Sequence, residues 1–193
     1  MRDAENIREV EALGIDLMGF IFWPKSSRYV SERPAYLPTK CKRVGVFVDE
    51  NIETIKKLAN DYALDYIQLH GSESPEYVQQ LRNWQVIKAF NIATAADLGA
   101  TKPYEGIVDY FLFDTKAQLP GGSGQQFDWH VLDEYHGDTP FLLSGGIGPD
   151  DAERIKAFNH PTCAGFDLNS KFEVAPALKD INELKEFINK VRI

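Results

Sequence analysis

The sequence has few cysteines, no long apolar run and no excess of basic residues. Cys41 and Cys163 are its only cysteines and form no CxxC pair, which argues against a disulfide framework or zinc site and is typical of a cytoplasmic protein. No apolar stretch approaches the roughly 20 residues that span a bilayer, and the first residues do not resemble a signal peptide. A formal charge of −8 argues against nonspecific nucleic-acid binding, which needs a broad basic face.

What is present fits one globular domain. The chain has 193 residues and is 44% hydrophobic, so it can bury a sizeable core. No shift in composition, internal repeat or low-complexity segment divides it, and we expect a single domain over residues 1–193. An acidic chain can still bind an anionic metabolite, provided that helix N-termini and one or two basic side chains are placed locally.

Short apolar runs alternate with amphipathic segments along the whole chain. The runs are rich in β-branched and aromatic residues, a pattern that predicts buried parallel strands. The predicted strands are Met18–Phe22, Arg43–Val48, Tyr66–His70, Val86–Phe90, Tyr110–Thr115, Phe141–Gly145 and Ala164–Asn169. The predicted helices are Ala4–Leu13, Ile52–Tyr62, Pro75–Trp84, Ala95–Ala100, Asp128–Tyr135, Asp150–Phe158 and Asp180–Val191, with Asn51, Ser74 and Pro149 as start signals.

This alternation leaves two α/β architectures, an open doubly wound sheet and a (β/α)8 TIM barrel. The doubly wound fold favours a glycine-rich turn after an early strand, and the sequence has no GxGxxG there. Glycine and small polar residues instead follow the last two strands, where many barrels bind phosphate. The sequence therefore predicts a TIM barrel, although only three residues precede the first helix, so the first barrel strand is absent from the chain.

The ends of the last two predicted strands are the candidate phosphate site. Gly145 and Gly146 follow one strand, and Asp167, Asn169 and Ser170 end the next. Glycines there let the backbone approach a ligand and direct its amides at an anion. Each segment alone could also be a plain strand-to-helix turn, but two on consecutive strands favour the phosphate interpretation.

Three other side chains are predicted at the same rim. Asp114 follows an apolar run, and a carboxylate is costly to bury without a partner or a task. It could be a general acid or a loop cap. Arg28 could grip a carboxylate or phosphate, or lie in a solvated basic loop. His70 shares its strand face with Gln68 and could face the barrel mouth, or only order a loop.

Taken together, these segments resemble one family, phosphoribosylanthranilate isomerase. Any one motif is weak, but they occur in order over essentially the whole chain. The matching segments are residues 2–6, 19–22 and 24–30, 44–48, 68–71, 113–115, 121–124, 127–129, 143–147 and 167–170, with Glu173 and Lys179-Asp180 near the end.

The resemblance implies a (β/α)8 barrel that converts N-(5-phosphoribosyl)anthranilate into 1-(o-carboxyphenylamino)-1-deoxyribulose 5-phosphate in tryptophan biosynthesis, without metal or organic cofactor. Asp114 would be the general acid that protonates the ribose ring oxygen. Arg28 would face the anthranilate carboxylate, and the backbone around the late-strand residues would cradle the phosphate. The partner would be this small phosphorylated substrate, with no nucleic acid or membrane involved. The resemblance implies a monomer, although unpaired strand edges could associate.

The resemblance also contains a departure. The family begins with a short strand, approximately Lys-x-Cys-Gly, whose cysteine is the general base, and Met1 corresponds to a position just after it. Cys41 and Cys163 precede their predicted strands and would lie at the opposite end of the barrel. We therefore expect impaired activity. A start site assigned too far downstream, a deliberately shortened chain and a natural remnant would each explain the departure.

Two other functions remain open at this stage. One is a barrel that binds a phosphorylated ligand without catalysing a reaction. The other is a barrel enzyme of the same pathway resembling indole-glycerol-phosphate synthase, which would use a catalytic lysine together with glutamates. Lys88 lies within a predicted strand, but no convincing set of glutamates accompanies it.

Overall fold

A computed structural model describes residues 1–115 and 128–192, and its centre is one parallel sheet. The strands pair in chain order, each with the next, as in a TIM barrel. They are β1 Leu17–Ile21, β2 Lys42–Phe47, β3 Tyr66–Leu69, β4 Gln85–Ile92, β5 Tyr110–Thr115, β6 Phe141–Ser144 and β7 Cys163–Phe166. The prediction of an α/β barrel fold is confirmed, and the doubly wound alternative is wrong because its strand order is not sequential.

Helices and short 3-10 segments connect the strands. The α-helices are α1 Ala4–Ala12, α2 Ile52–Tyr62, α3 Pro75–Gln79, α4 Ala152–Ala157 and α5 Ile181–Val191. The 3-10 segments are Ala95–Tyr104, Trp129–Glu134, Pro149–Asp151 and Ser170–Phe172. Asn51 and Ser74 accept hydrogen bonds from backbone amides in the first turns of α2 and α3, so these predicted start signals are confirmed.

Alternation along each strand divides the apolar side chains between two cores. On β5, Phe111 and Phe113 belong to the large core between the sheet and the helices. Leu112 belongs to a smaller cluster on the inner face, with Tyr66 from β3 and Ile87 from β4 among its members. Because side chains alternate, the residue after Phe113 faces inward at the carboxyl end of its strand.

The sheet has two ends, at β1 and β7. In the part of the chain that the structure describes, β1 pairs only with β2 and β7 only with β6. A cleft of about 1350 Å³, lined by residues of β1, β7 and α5, extends to the carboxyl rim. The α-amino group of Met1 lies in this cleft and donates a 2.8 Å hydrogen bond to the carbonyl of Gly19 in β1.

Most predicted bounds differ from the structure by one or two residues, the predicted helices Ala95–Ala100 and Asp128–Tyr135 are 3-10 segments, two elements end three or more residues earlier than predicted, and one element was missed. Strand β7 ends at Phe166 rather than Asn169, because the Asn169 carbonyl accepts the amide of Phe172 in a 3-10 turn. Helix α3 ends at Gln79 and continues as turns toward residue 84. A two-stranded antiparallel hairpin, β8 Glu173–Ala175 with β9 Leu178–Lys179, follows β7 and was not predicted.

The described residues contain no helix long and apolar enough to cross a membrane. Within the same ranges, no group of three or more His, Cys, Asp or Glu side chains could hold a metal ion. The glycine-rich segment 121–124 and Phe127, two of the segments behind the family resemblance, lie outside the described residues.

Candidate active site

Asp114 lies at the carboxyl end of β5, on the inner face of the sheet. It is in register with Asn91 of β4 and Ser144 of β6, so it is at the level where both neighbouring strands end. Its side chain is 18% exposed, which leaves the carboxyl group accessible from the rim while apolar residues of β5 surround its base. A carboxyl group in this position can exchange a proton with a bound ligand.

His70 follows β3 and faces Asp114 across the rim. Its Nε2 lies 3.7 Å from Oδ2 of Asp114, and its Nδ1 is 3.1 Å from Nε2 of Gln68. Gln68 and His70 thus share a face, as alternation predicts. An oxygen atom of a ligand could contact both the imidazole and the carboxyl group.

The loops after β6 and β7 complete a small pocket beside Asp114. Gly145 and Gly146 have φ values of 100° and 70°, a left-handed conformation that favours glycine and turns the chain sharply at the rim. Ser144 donates a 2.8 Å hydrogen bond to the Asp167 carboxylate, which joins the two loops. The pocket measures about 170 Å³, and its lining is His70, Asp114, Ser144, Gly145, Gly146, Ile147, Asp167, Asn169 and Ser170.

Asn169 is bound by Lys179, which lies in the β8–β9 hairpin that was not predicted from the sequence. Nζ of Lys179 lies 2.9 Å from the Asn169 carbonyl and 2.8 Å from its Oδ1. Burial lowers the pKa of Lys179, and the nearby Glu173 carboxylate partly offsets this effect. A partly buried ammonium group therefore lies directly beside the candidate phosphate loop.

Arg28 lies outside the small pocket, on the rim of the larger cleft. Its Nε and Nη2 atoms contact the Glu173 carboxylate at 2.6 to 3.0 Å, a two-pronged ion pair. Burial alone would raise the pKa of Glu173, but the Arg28 hydrogen bonds and Lys179 hold it below its usual value. The cluster of two cations and one anion keeps one positive charge in excess, which suits an anionic ligand.

Lys88 lies in β4 but does not face the site. Val86 and Phe90, two residues to either side, pack in the outer core, whereas Ile87 and Ala89 face inward. The Lys88 ammonium group points outward and pairs with Glu73 at 3.2 Å. This orientation argues against the catalytic lysine that an indole-glycerol-phosphate synthase would need.

Both cysteines lie at the amino end of the sheet. Cys41 immediately precedes β2, and Cys163 is the first residue of β7, which begins one residue earlier than predicted. Burial, together with the Glu11 carboxylate, raises the pKa of the Cys41 thiol to about 11. Burial also raises the pKa of Cys163. Both are therefore neutral thiols near pH 7, and neither reaches the carboxyl rim.

The predicted residues divide into two groups in space. Seven of them line the small pocket, and Arg28 stands apart on its rim with Glu173. Sequence reasoning assigned no role to Glu73, Lys88, Glu173 or Lys179, whose contacts join segments far apart in the chain. A charged residue within an apolar strand was the available signal for Lys88.

Comparison with known proteins shows which family the chain belongs to. The family described as N-(5'phosphoribosyl)anthranilate (PRA) isomerase matches residues 1–190. An N-(5'-phosphoribosyl)anthranilate isomerase of Phocaeicola vulgatus is 52% identical over 194 aligned residues, which cover 100% of this chain and 95% of the relative.

Two solved structures agree with that match. The phosphoribosyl anthranilate isomerase of Thermotoga maritima is 32% identical with a TM-score of 0.84, covering 100% of this chain and 95% of that one. A second isomerase structure, in complex with reduced 1-(o-carboxyphenylamino)-1-deoxyribulose 5-phosphate, is 29% identical with a TM-score of 0.80. The match covers 100% of this chain and 98% of that one.

Proposed function

Since the chain belongs to the N-(5'-phosphoribosyl)anthranilate isomerase family, we propose that the pocket at its carboxyl rim is the site of the family's reaction. The protein is an isomerase of tryptophan biosynthesis. The reaction is the Amadori rearrangement of N-(5-phosphoribosyl)anthranilate to 1-(o-carboxyphenylamino)-1-deoxyribulose 5-phosphate. The observation that carries the site assignment is one pocket of about 170 Å³ that combines the Asp114 carboxyl group with the two late-strand loops.

Asp114 is the proposed general acid. Opening the ribose ring breaks the bond between C1 and the ring oxygen, and that oxygen must receive a proton as the bond breaks. Asp114 lies at the rim with its carboxyl group on the inner face. The adjacent His70 imidazole can bind the same region of the ligand.

The two ends of the substrate have separate contacts in this proposal. The phosphate binds at the backbone of Gly145, Gly146, Asn169 and Ser170, where glycines permit close approach. The Asp167 carboxylate would repel phosphate, so we assign it to a sugar hydroxyl group. Arg28 binds the anthranilate carboxylate, which would compete with Glu173 for the guanidinium group.

The base that removes the proton from ribose C2 is not assigned to any of the described rim side chains in this proposal. Neither thiol among residues 1–115 and 128–192 lies at the rim, and both are neutral near pH 7. The family resemblance assigns this role to a cysteine on a strand before the position of Met1. We therefore propose that the 193 residues alone bind substrate and supply the acid but catalyse slowly, since a general base contributes about 10²–10⁴-fold.

The general acid is tested by Asp114→Asn, which removes the proton donor but keeps the size of the side chain. We expect a fall of about 10²–10⁴-fold in kcat with substrate affinity nearly unchanged. The measurement is the fluorescence decay of freshly made substrate. Asp61→Asn, on the exposed surface of α2, is the matched control. The comparison is made in the chain extended by the family's Lys-Val-Cys-Gly segment, where a base is present, and equal rates for Asp114→Asn and its parent there would refute the assignment.

The role of a cysteine ahead of Met1 is tested by adding Lys-Val-Cys-Gly before that residue and comparing turnover with that of the 193-residue chain. We expect the extended protein to be faster by about 10²-fold or more. A Lys-Val-Ser-Gly extension is the matched control, since it restores the backbone without the thiol. If neither extension raises turnover although all proteins fold, a noncatalytic phosphate-binding barrel becomes the better description.

We also propose that the protein is a cytoplasmic monomer, as the family resemblance implies. The two sheet ends at β1 and β7 are the surfaces through which copies could associate. Sedimentation equilibrium over a range of concentrations measures this directly.

A further inference from the structure

The buried ion pair of Glu73 and Lys88 has no role in the chemistry described above. Its side chains are only 2% and 3% exposed, and both lie outside the substrate pocket. A buried ion pair is rarely the most stable choice, because apolar side chains of similar volume avoid the cost of desolvation. Its contacts therefore need a separate explanation.

The Lys88 ammonium group donates hydrogen bonds to backbone carbonyls on both sides of His70. Its Nζ lies 3.4 Å from the carbonyl of Leu69 and 2.7 Å from the carbonyl of Gly71. A third carbonyl, that of Ala89, lies at 3.2 Å. One ammonium group thus fixes the two peptide carbonyls that flank the histidine.

Glu73 fixes the same loop through its amides. Its carboxylate accepts the Gly71 amide at 3.1 and 3.2 Å and the Asp49 amide at 2.9 Å. The loop is also tightly packed, because a Cβ at Gly71 would lie 2.4 Å from a carboxylate oxygen of Asp49. The ion pair therefore holds the chain at Leu69 and Gly71, immediately before and after His70.

We propose that Glu73 and Lys88 are positioning residues that set the direction in which His70 faces the ligand and Asp114. Apolar replacements would fill the same volume but could not hold two carbonyls and two amides in fixed directions. The His70 ring itself contacts only the side chains of Gln68 and Asp114 among those described above. This inference rests on the proposed function in one respect only, that His70 contacts the ligand.

The test uses the double variant Lys88→Met/Glu73→Gln, which removes both charges together and leaves an acceptor oxygen for the amides of Gly71 and Asp49. It therefore leaves no unpaired buried charge. The matched control is Lys56→Met/Glu53→Gln, which removes the exposed ion pair of α2. Denaturant unfolding verifies that both proteins are folded before other measurements.

The first readout is independent of ligand and is the ¹H–¹³C spectrum of the histidine rings. We expect the ring signal of His70 to shift and broaden in the Lys88→Met/Glu73→Gln protein, with those of His130, His136 and His160 unchanged. The control variant should leave all four signals in place. An unchanged His70 signal in the double variant overturns the proposal, whatever the function of the protein.

The second readout is a mutational cycle on ligand affinity, measured by calorimetry with reduced 1-(o-carboxyphenylamino)-1-deoxyribulose 5-phosphate. In the wild-type background we expect His70→Asn to weaken binding about tenfold, the usual size for a hydrogen bond to a charged ligand. In the double-variant background we expect the same change to have less than about a twofold effect.

The outcomes separate the inference from the proposed function. An equal loss from His70→Asn in both backgrounds overturns the positioning role and leaves the site assignment standing. No loss in the wild-type background refutes the contact between His70 and the ligand, and the ring spectra then decide the positioning role alone.

Discussion

Two glutamates of this protein are buried to nearly the same extent, with side chains 2% exposed at Glu73 and 4% at Glu173, and each pairs with a lysine. Their other partners differ. Glu73 accepts backbone amides from two loops, whereas Glu173 accepts the guanidinium group of Arg28 and the amide of Ala177. The first carboxylate is bound mainly to main chain, and the second mainly to side chains.

The difference shows what each ion pair can do. Main-chain partners cannot turn away, so the Glu73–Lys88 pair fixes the course of the chain. Arg28 is 25% exposed and has a long flexible stem, so it can exchange the Glu173 carboxylate for that of a ligand. A buried carboxylate can thus order a loop in one place and hold a binding residue ready in another.

The largest expected effect comes from removing each carboxylate in turn. Glu73→Leu leaves a buried, unpaired ammonium and should lower the free energy of unfolding by about 3–5 kcal/mol. Glu173→Leu should cost only about 1–2 kcal/mol, because Arg28 can turn toward water and Lys179 keeps its hydrogen bonds to Asn169. Denaturant unfolding monitored by circular dichroism measures both. Equal losses would show that the two sites do not differ in the way described.

The fold could be predicted from the sequence, but most of the contacts that distinguish Glu73 from Glu173 could not. Strand β5 and helix α2 have their predicted bounds, because an uninterrupted apolar run and a capped amphipathic segment each specify one structure locally. Sequential strands in a barrel end at a common rim, so the grouping of Asp114, Gly145 and Asn169 followed from topology alone.

Partners distant in sequence did not follow from topology. The Arg28–Glu173 pair joins residues 145 positions apart, and it depends on a short hairpin with little periodicity to detect. The orientation of Lys88 also depended on knowing which face of β4 is outward. A strand that is apolar on both faces does not reveal this.

The second-largest expected effect is a loss of ligand affinity on removal of Arg28, which can exchange Glu173 for a carboxylate of the ligand. Arg28→Met should weaken binding of the reduced product analogue about 10–100-fold, since it removes a charge-assisted contact. Stability should fall by only about 1 kcal/mol, because Lys179 remains beside Glu173. Calorimetry and denaturant unfolding measure the two quantities. Arg192→Met, at the end of α5, is the control, and a similar loss of affinity there would refute the role of Arg28.

The smallest expected effect is a pH dependence at Glu173. Its pKa is held below the ordinary value of 4.5, so the folded protein favours the ionised form. The stabilisation is complete above about pH 4.5, where the unfolded chain is ionised too, and it is lost as pH falls through the folded pKa. Glu173→Gln should therefore be less stable than wild type by about 1 kcal/mol at pH 7 and lose this deficit in acid.

Unfolding in urea between pH 7 and pH 3 measures the difference in free energy of unfolding between the two proteins. Glu183→Gln, on the exposed face of α5, should show no such convergence. A deficit that persists unchanged at pH 3 would mean that the ionised carboxylate is not what holds Arg28, and Glu173 would then resemble Glu73 in stabilising the chain by packing and amide contacts.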